Sequence, residues 1–251
     1  MNRLKNKVAV VTGASKGIGA AIAKHFAAEG ARVVVNYASG REGADKVVKE
    51  ISDNGGTAIA VQADVSNEAD VAGLFDATKN AFGTLDILVN NAGIYLYQPI
   101  EQVSAETFHR QFNINVLGSI LAIQGALKLF GDNGGNIINI SSGASNTPLA
   151  TGSVYSATKT ALDAITVALS KEFAGRNIRI NSILPGVVET EGSHSAGFIG
   201  SEAEERLVAN TPLGRTGQPD DIAKVVVFLA SDEAAWITGE KIAVSGGIYG
   251  L

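Results

Sequence analysis

Tyr155 and Lys159 are the residues whose types and spacing most clearly allow chemistry; they lie in residues 153–159, SVYSATK. On a helix, a four-residue spacing stacks the two side chains on one face. An ammonium about 4 Å from a phenolate is worth roughly 4 kcal/mol at an effective dielectric constant near 20. That energy is enough to pull a tyrosine pKa from about 10 towards 7. Such a phenol exchanges protons with an alcohol or alkoxide at neutral pH. A solvated lysine over a half-buried tyrosine has the same spacing, so the context must decide.

The composition excludes several classes of protein. The chain has 251 residues, 45% of them hydrophobic, with a formal net charge of −5 and no cysteine. It has no dense basic run, so we expect no nucleic-acid partner. It has neither eighteen consecutive apolar residues nor a signal-peptide core, so we expect a cytoplasmic protein with no membrane partner. The histidines are scattered without the spacing of metal ligands, so we expect no metal site.

Short β-branched runs alternate with longer helical patterns along the whole chain. Such alternation predicts an α/β fold with a parallel sheet and helices on both faces. No linker or repeat divides the chain, so we predict one domain over residues 1–251. The predicted strands are residues 8–11, 32–36, 57–62, 85–90, 136–140, 178–183 and 241–244.

One segment, residues 189–211, interrupts this alternation. It contains Gly192, Gly197 and Gly200, followed by a short acidic helix pattern at 201–210. It comes after the carboxyl end of a strand, where sheets of this kind bind ligands. A mobile substrate lid is one interpretation, and an ordinary surface excursion is the other.

A glycine-rich turn follows the first predicted strand. Glycines allow the backbone to approach phosphates, and the N-terminus of the following helix adds oriented N–H groups and a partial positive charge. The spacing is G-x-x-x-G-x-G instead of the common G-x-G-x-x-G. The predicted phosphate-binding run is Thr12-Gly13-Ala14-Ser15-Lys16-Gly17-Ile18-Gly19.

The end of the second strand bears on the choice of cofactor. Enzymes that use NAD often have an Asp or Glu here for the ribose 2′-hydroxyl, but this chain has Asn36. Lys16 and Arg41 supply positive charge, while Asn36, Tyr37 and Ser39 supply hydrogen-bond donors. We therefore favour NADP(H) over NAD(H), and expect Asn36→Asp to weaken NADPH binding more than NADH binding.

Two further strand ends are candidates for contacts with the cofactor. Asp64, followed by Val65, ends the third strand and is a candidate for the adenine. Asn91, Ala92 and Gly93 end the fourth and let the backbone pass close to a flat ligand. Both stretches are also consistent with simple turn chemistry.

Together these motifs resemble the classical short-chain dehydrogenase/reductase family over about residues 5–247. The resemblance implies a Rossmann-like domain with strand order 3-2-1-4-5-6-7 and hydride transfer between a nicotinamide and a carbonyl or alcohol carbon. The matching residues are Thr12–Gly19, Asn90–Gly93, Asn115, Ser142, Tyr155, Lys159 and Pro185-Gly186.

The resemblance also implies a role for each catalytic position. Tyr155 is the acid/base, and Ser142 (rather than its neighbour Ser141) binds the substrate oxygen. Lys159 holds the nicotinamide ribose and lowers the tyrosine pKa, while Asn115 anchors a water that relays protons to Lys159. A kinked or capped helix end is an alternative or additional role for Asn115.

Three further positions are implied to contact the cofactor. Pro185 and Gly186 shape the wall that faces the nicotinamide. The backbone of Val188 meets the carboxamide, and Thr190 meets the phosphates.

The predicted substrate pocket is mostly apolar and contains no cation, which favours a neutral ketone or alcohol. A 3-oxoacyl-carrier-protein reductase, a sugar or steroid dehydrogenase, and a nucleotide-sensing module without turnover stay open as alternatives. The candidate pocket residues are Ile94, Tyr95, Leu96, Ala144, Asn146, Leu149, Val187 and Phe198.

Two helix patterns, at about 104–130 and 153–174, are rich in apolar positions. The resemblance implies that they pack against a second copy to form a homotetramer or homodimer. The apolar C-terminus, residues 248–251, is a candidate for docking on another subunit.

Overall fold

The computed structural model describes residues 2–195 and 197–248. Seven parallel strands form one sheet in the order β3-β2-β1-β4-β5-β6-β7, which confirms the predicted fold and strand order. The strands are β1 Val8–Val11, β2 Arg32–Tyr37, β3 Thr57–Gln62, β4 Ile87–Asn90, β5 Gly135–Ile140, β6 Ile178–Pro185 and β7 Lys241–Val244.

Helices cover both faces of this sheet. One core cluster contains Ile22, Phe26 and Val226 on one face, and a second contains Leu74 and Ile137 on the other. Aliphatic side chains fill both because the central strands are buried on both faces. The helices are α1 Gly17–Ala28, α2 Arg41–Asp53, α3 Glu68–Phe82, α4 Ala105–Phe112, α5 Gly118–Leu127, α6 Ser153–Phe173, α7 Glu191–Ser195, α8 Glu202–Ala209 and α9 Pro219–Ala230.

The predicted fourth strand began two residues too early. Leu85 forms only an isolated bridge with Phe130, and β4 begins at Ile87. Between them, the Asp86 carboxylate accepts a hydrogen bond from Val8 N–H at 2.8 Å. That side-chain bond ties the start of β4 to β1.

The predicted helix at 104–130 is interrupted in the structure. A π-helical turn, Asn113–Leu117, separates α4 from α5. Such turns are rare and frequently lie at functional sites. This one turns the Asn115 side chain towards the loop after β4, in agreement with the expectation of a kink at Asn115.

The segment 189–211 contains two short helices, α7 and α8. Ser201 caps α8 by accepting a hydrogen bond from Glu204 N–H at 3.3 Å, which confirms the short helix predicted there. Most of the apolar C-terminal tail lies outside the described residues. Among the helices that the structure describes, none is long and apolar enough to cross a membrane.

Candidate active site

A cleft of about 1530 Å³ lies at the carboxyl ends of the strands. Its wall combines the glycine-rich turn after β1, the loops after β4 to β6, the start of α6 and parts of α7 and α8. In an open parallel sheet, ligands bind at the carboxyl ends of the strands, at the point where the strand order reverses. Here that point lies between β1 and β4. In residues 2–195 and 197–248 we find no group of His, Cys, Asp and Glu that could hold a metal.

The turn after β1 requires glycine at its first motif position. Gly13 has φ +60°, and a Cβ placed on it would lie 2.9 Å from the Ala92 Cα. Asn91 holds the two loops together by donating from Nδ2 to the Thr12 carbonyl at 2.9 Å and the Gly13 carbonyl at 3.0 Å. The Asn91 side-chain amide therefore fixes the position of the loop, and the backbone of Asn91 is the part that faces the cleft.

Asn36 has a different role from the one predicted. Its side chain is 1% exposed, and its Oδ1 accepts a hydrogen bond from Gly13 N–H at 3.2 Å. Its Nδ2 donates to the carbonyls of Val61 at 3.3 Å and Ala63 at 3.1 Å. Both amide hydrogens are taken, so the prediction that Asn36 donates to a 2′-phosphate is not supported. The residue holds the glycine-rich turn against β2 and β3.

The other groups predicted around a 2′-phosphate lie where expected, apart from one. Lys16, Ser39 and Arg41 line the cleft and are exposed, and Ser15 of the predicted phosphate-binding run lines it beside them. Tyr37 is only 6% exposed and packs in the core, so its predicted contact with the cofactor is not supported.

The N-terminus of α2 adds a favourable field at the same place. Its N-cap residue, Gly40, makes no side-chain capping bond, and Arg41 N–H is bonded to the Ser39 carbonyl at 3.1 Å. Gly40 and Arg41 line the cleft, so the positive end of the helix dipole lies at this end of it. Asp64 and Val65 also line the cleft, as predicted. Asp64 accepts from the Ser66 N–H and hydroxyl through Oδ1 only, at 2.9 Å and 2.7 Å.

Lys159 is buried at the floor of the cleft. Its side chain is 5% exposed, and Nζ donates to the Ile140 carbonyl at 2.8 Å. Burial lowers the pKa of Lys159 to about 8, and the negative charge of Asp163 acts in the opposite direction. Nζ lies 5.9 Å from the centre of the Tyr155 ring. The predicted stacking of this pair on one face of α6 is therefore present.

The two neighbouring serines at the end of β5 point to different places. Ser141 is buried, and its hydroxyl donates to the Lys159 carbonyl at 3.3 Å. Ser142 Oγ accepts from Ala144 N–H at 3.1 Å. Among the described residues Ser142 Oγ has no acceptor, so its hydroxyl hydrogen is left to donate into the cleft.

Asn115 holds the loop after β4 against α6. Its Oδ1 accepts from Ile94 N–H at 2.8 Å, and its Nδ2 donates to the Ile94 carbonyl at 2.8 Å and to Thr158 Oγ1 at 3.0 Å. Gly93 lies between this clamp and Lys159, since a Cβ on it would be 3.3 Å from Asn115 Oδ1 and 3.5 Å from Lys159 Nζ.

The wall after β6 exposes backbone groups to the cleft. Gly186 needs its missing side chain, because a Cβ would lie 2.9 Å from the Ser245 Cα. Gly217 pairs with the residues on either side of Val188, donating to the Val187 carbonyl at 2.9 Å and accepting from Glu189 N–H at 2.9 Å. Pairing of this kind directs the Val188 N–H and carbonyl to the other side of the chain. That orientation is the one needed for the predicted contact with the carboxamide of a nicotinamide.

Comparisons with known proteins agree with this geometry. Residues 13–249 match the family model described as enoyl-(acyl carrier protein) reductase. An uncharacterized oxidoreductase of Methylorubrum extorquens is 58% identical, over 99% of this chain and 100% of its own. The chain belongs to the short-chain dehydrogenase/reductase family.

Two further members of the family act on named substrates. The 3beta-hydroxysteroid dehydrogenase 1 of Eggerthella lenta is 42% identical, over 98% of this chain and 94% of its own. The crystal structure of the angucycline C-6 ketoreductase LanV with bound NADP superposes with a TM-score of 0.93 at 38% identity, covering 99% of this chain and 97% of that one.

In this short-chain dehydrogenase/reductase, the part of the cleft beyond Ser142 and Tyr155 is more aromatic than predicted. Tyr97 was missed; its ring centre lies 5.8 Å from that of Tyr155 and 6.0 Å from that of Tyr95. The pattern Tyr-Leu-Tyr could have signalled it, because alternate residues of an extended segment face the same way.

Six of the eight predicted pocket residues line the cleft and two do not. Leu96 donates its N–H to Gln111 at 3.2 Å, away from the cleft. Asn146 is exposed and accepts from Lys241 at 3.5 Å. The residues that do line it are Ile94, Tyr95, Ala144, Leu149, Val187 and Phe198.

The segment 189–211 is tied to the glycine-rich turn. Glu191 Oε2 accepts from Gly17 N–H at 3.0 Å, a contact that no sequence motif signalled. Thr190 lies beside the same glycine, with its Cγ2 3.3 Å from the position of a Cβ there. Glu189 anchors the base of the segment by accepting from Gln218 at 2.8 Å and contacting His194 at 2.9 Å.

Proposed function

We propose that the protein is an NADPH-dependent carbonyl reductase that reversibly reduces a neutral ketone to a secondary alcohol, with Tyr155 as the acid/base. The observation that carries the proposal is the convergence of Ser142, Tyr155 and a buried Lys159 at the floor of the cleft. The wall at Pro185–Val188, which suits a nicotinamide, lies on the same cleft. When bound, NADPH supplies the hydride to the carbonyl carbon.

The side chains of the protein account for the negative charge that develops on the substrate oxygen. Ser142 donates its free hydroxyl hydrogen to that oxygen, since Ala144 N–H holds its Oγ from the other side. Tyr155 gives its proton to the same oxygen. Lys159 stabilises the resulting phenolate, because a nearby ammonium favours the ionised phenol. In the oxidation of an alcohol, the same groups act in reverse.

The preference for NADPH follows from charge at the far end of the cleft. Lys16 and Arg41 supply two exposed cations, and Ser15 and Ser39 supply hydroxyls beside the uncapped start of α2. A 2′-phosphate carries charge that these groups favour. The NADP found in LanV supports the same choice.

The substrate end of the cleft favours a flat, neutral ketone. Tyr95 and Tyr97 are 42% and 47% exposed and form one wall, while Leu149 and Phe198 contribute apolar surface to the same pocket. Flat rings gain from stacking and edge contacts with such aromatic side chains. The steroid and angucycline named for the two relatives are polycyclic, which supports this class. The carrier-protein alternative is weaker, since the cations lining the cleft, apart from Lys159 itself, lie at the cofactor end.

The segment 189–211 is proposed to act as a lid. Its contacts with Gly17 of the glycine-rich turn, through Glu191 and Thr190, support this role. Hydrogen exchange with and without NADPH tests this idea. Protection of 189–211 on binding is expected, and an unchanged exchange rate would argue for an ordinary surface excursion.

We also propose a homotetramer or homodimer formed through α4, α5 and α6. The buried positions of α6 include Thr158, Asp163 and Thr166, whose side chains bond to groups within the same subunit. Small apolar residues, including Ala157, Ala164 and Ala168, are exposed on the other side. Light scattering on the purified protein measures the assembly, and a monomer would contradict the proposal.

The decisive experiment follows NADPH consumption by absorbance with a panel of ketones that includes polycyclic aromatic, steroid and small aliphatic members. We expect turnover with NADPH and the highest kcat/KM for the polycyclic ketones. Tyr97→Ala should lower that kcat/KM by about tenfold, given about 1.4 kcal/mol per lost aromatic contact, and leave small aliphatic ketones nearly unaffected. Binding of NADPH without turnover of any ketone would favour a nucleotide-sensing module instead.

A further inference from the structure

A buried carboxylate, Asp163, lies beside the catalytic residues and has no part in the reaction as proposed. It is 4% exposed and stands on α6 one turn after Lys159 and two turns after Tyr155, on the same face. Its Oδ2 accepts from Ser145 Oγ at 2.6 Å. Its Oδ1 is buried without a hydrogen-bond partner among the described residues. A half-satisfied buried carboxylate is costly, so its presence calls for a reason.

The first reason lies in the turn that carries Ser142. Ser145 Oγ is 2.8 Å from the Ser142 carbonyl as well as 2.6 Å from Asp163. A second link joins the same turn to α6, since Thr160 Oγ1 donates to the Ser145 carbonyl at 3.1 Å. Asp163 therefore helps to tie the Ser142 turn to the helix that carries Tyr155 and Lys159.

The second reason is the charge of the carboxylate. The groups beside Lys159 Nζ are neutral: it donates to the Ile140 carbonyl of β5 and lies next to Gly93 after β4, which Asn115 of the π-helical turn also borders. Among the described residues the titratable side chains that face it are Tyr155 and Asp163. Burial alone favours the neutral amine, and the negative charge of Asp163 opposes that effect.

We propose that Asp163 is a positioning residue that holds the Ser142 turn through Ser145 and keeps the Lys159 ammonium charged at the pH of the reaction. The proposal rests on the proposed function for the roles of Ser142 and Lys159. The unpaired oxygen is then explained, because a carboxylate that is not neutralised by a contact ion pair projects its potential onto the lysine one turn away. In this arrangement Asp163 touches neither substrate nor cofactor.

The test compares Asp163→Asn with Glu172→Gln, which removes the same charge from an exposed position of the same helix. The amide keeps an oxygen for Ser145, so the substitution chiefly removes charge. We measure the pKa of Lys159 by NMR of protein labelled with ¹⁵N at lysine Nζ, assigned by the signal lost in Lys159→Arg. We expect Asp163→Asn to lower this pKa by about one unit or more and Glu172→Gln to leave it unchanged.

A pH profile of ketone reduction gives the second readout. For Asp163→Asn we expect at least about a fivefold loss of kcat/KM at pH 8, which shrinks below about threefold at pH 6, where Lys159 is protonated again. A purely structural role would give the same loss at every pH, and that result would overturn the proposal. An unchanged Lys159 pKa in the folded variant would also overturn it.

A measurement on the wild-type protein decides the matter if Asp163→Asn does not fold. The ¹³C shift of the Asp163 carboxyl carbon should show an inflection at the pH midpoint of the Lys159 Nζ signal, because the two groups interact. No inflection there would refute the coupling. The NMR arms require no substrate, so absence of ketone turnover would count against the proposed function and leave the inference about Asp163 standing.

Discussion

The substitution Asn36→Asp distinguishes two interpretations of Asn36. In the first, suggested by its position at the end of a strand, the residue contacts the cofactor ribose; in the second, suggested by its hydrogen bonds, it holds the glycine-rich turn in place. As a strand-end residue near the ribose, an Asp here is expected to switch the cofactor preference to NADH. In the structure, its second oxygen would face the carbonyls of Val61 and Ala63, 3.3 Å and 3.1 Å from the atom it replaces. Asn36 is only 1% exposed, so the new charge would lie among acceptors with no donor for that oxygen. We therefore expect loss of stability instead of a clean change in specificity.

The magnitude follows from the contacts that are lost. An uncompensated buried charge costs about 3–5 kcal/mol, and each lost hydrogen bond adds about 1 kcal/mol, with part of the total relieved by relaxation. Taking about 4 kcal/mol, and about 2–4 °C per kcal/mol for a chain of this size, we expect the melting temperature to fall by about 8–16 °C. Binding of both NADPH and NADH should weaken together, because a carboxylate that moves away from the Val61 and Ala63 carbonyls would also move the oxygen that holds Gly13 N–H.

Ser39→Asp is the matched control, since Ser39 is exposed and lines the same end of the cleft. Its stability should change by less than about 0.5 kcal/mol. Repulsion of the 2′-phosphate should weaken NADPH binding by about tenfold, from about 1–2 kcal/mol at a few ångströms in a wet site. Thermal melting and calorimetric titration with each cofactor measure both effects. If Asn36→Asp melted within about 2 °C of wild type and favoured NADH, our reasoning about Asn36 would be wrong.

Three further outcomes are expected. Tyr155→Phe should reduce turnover by at least about a hundredfold, the low end for general acid–base catalysis, with NADPH affinity within about twofold by calorimetry; near-normal turnover would refute the role of the phenol. Gly13→Ala should lower the free energy of unfolding by at least about 1–3 kcal/mol and weaken NADPH binding, because its Cβ would lie 2.9 Å from the Ala92 backbone. Gly55→Ala is the control for backbone strain alone, since Gly55 also has a positive φ but has nothing within 4 Å of its Cβ position. Equal losses of stability in the two variants would contradict the argument from the Ala92 contact. The folded pKa of Lys159 is about 8 against an ordinary 10.5, so the unfolded chain holds the proton more tightly between those values. The free energy of unfolding of the wild-type protein, measured in urea and compared with that of Lys159→Met, should therefore rise by up to about 3 kcal/mol as the pH increases from 8 to 10.5. A decrease over this pH range would contradict the sign.

The alternation of aliphatic strands and helices was visible in the sequence, and so was the chemistry of the cleft. The strand order was implied by the family resemblance. The elements and the pairing of Tyr155 with Lys159 follow from patterns that are local in the chain: aliphatic runs, a 3.6-residue period, a glycine-rich turn, and a four-residue spacing on a helix. Such patterns act between neighbours in sequence, which is why they predict elements and faces well.

The partner of each polar side chain was decided only by the tertiary structure. Asn36 and Asn115 are polar residues near a ligand site, yet their amides bond to backbone that lies more than twenty positions away. The contact of the Ser141 hydroxyl with the Lys159 carbonyl, and the burial of Asp163 against Ser145, likewise depend on how α6 packs on the end of β5. A buried donor or acceptor must find a partner wherever the fold supplies one, and no local pattern records which distant group that is.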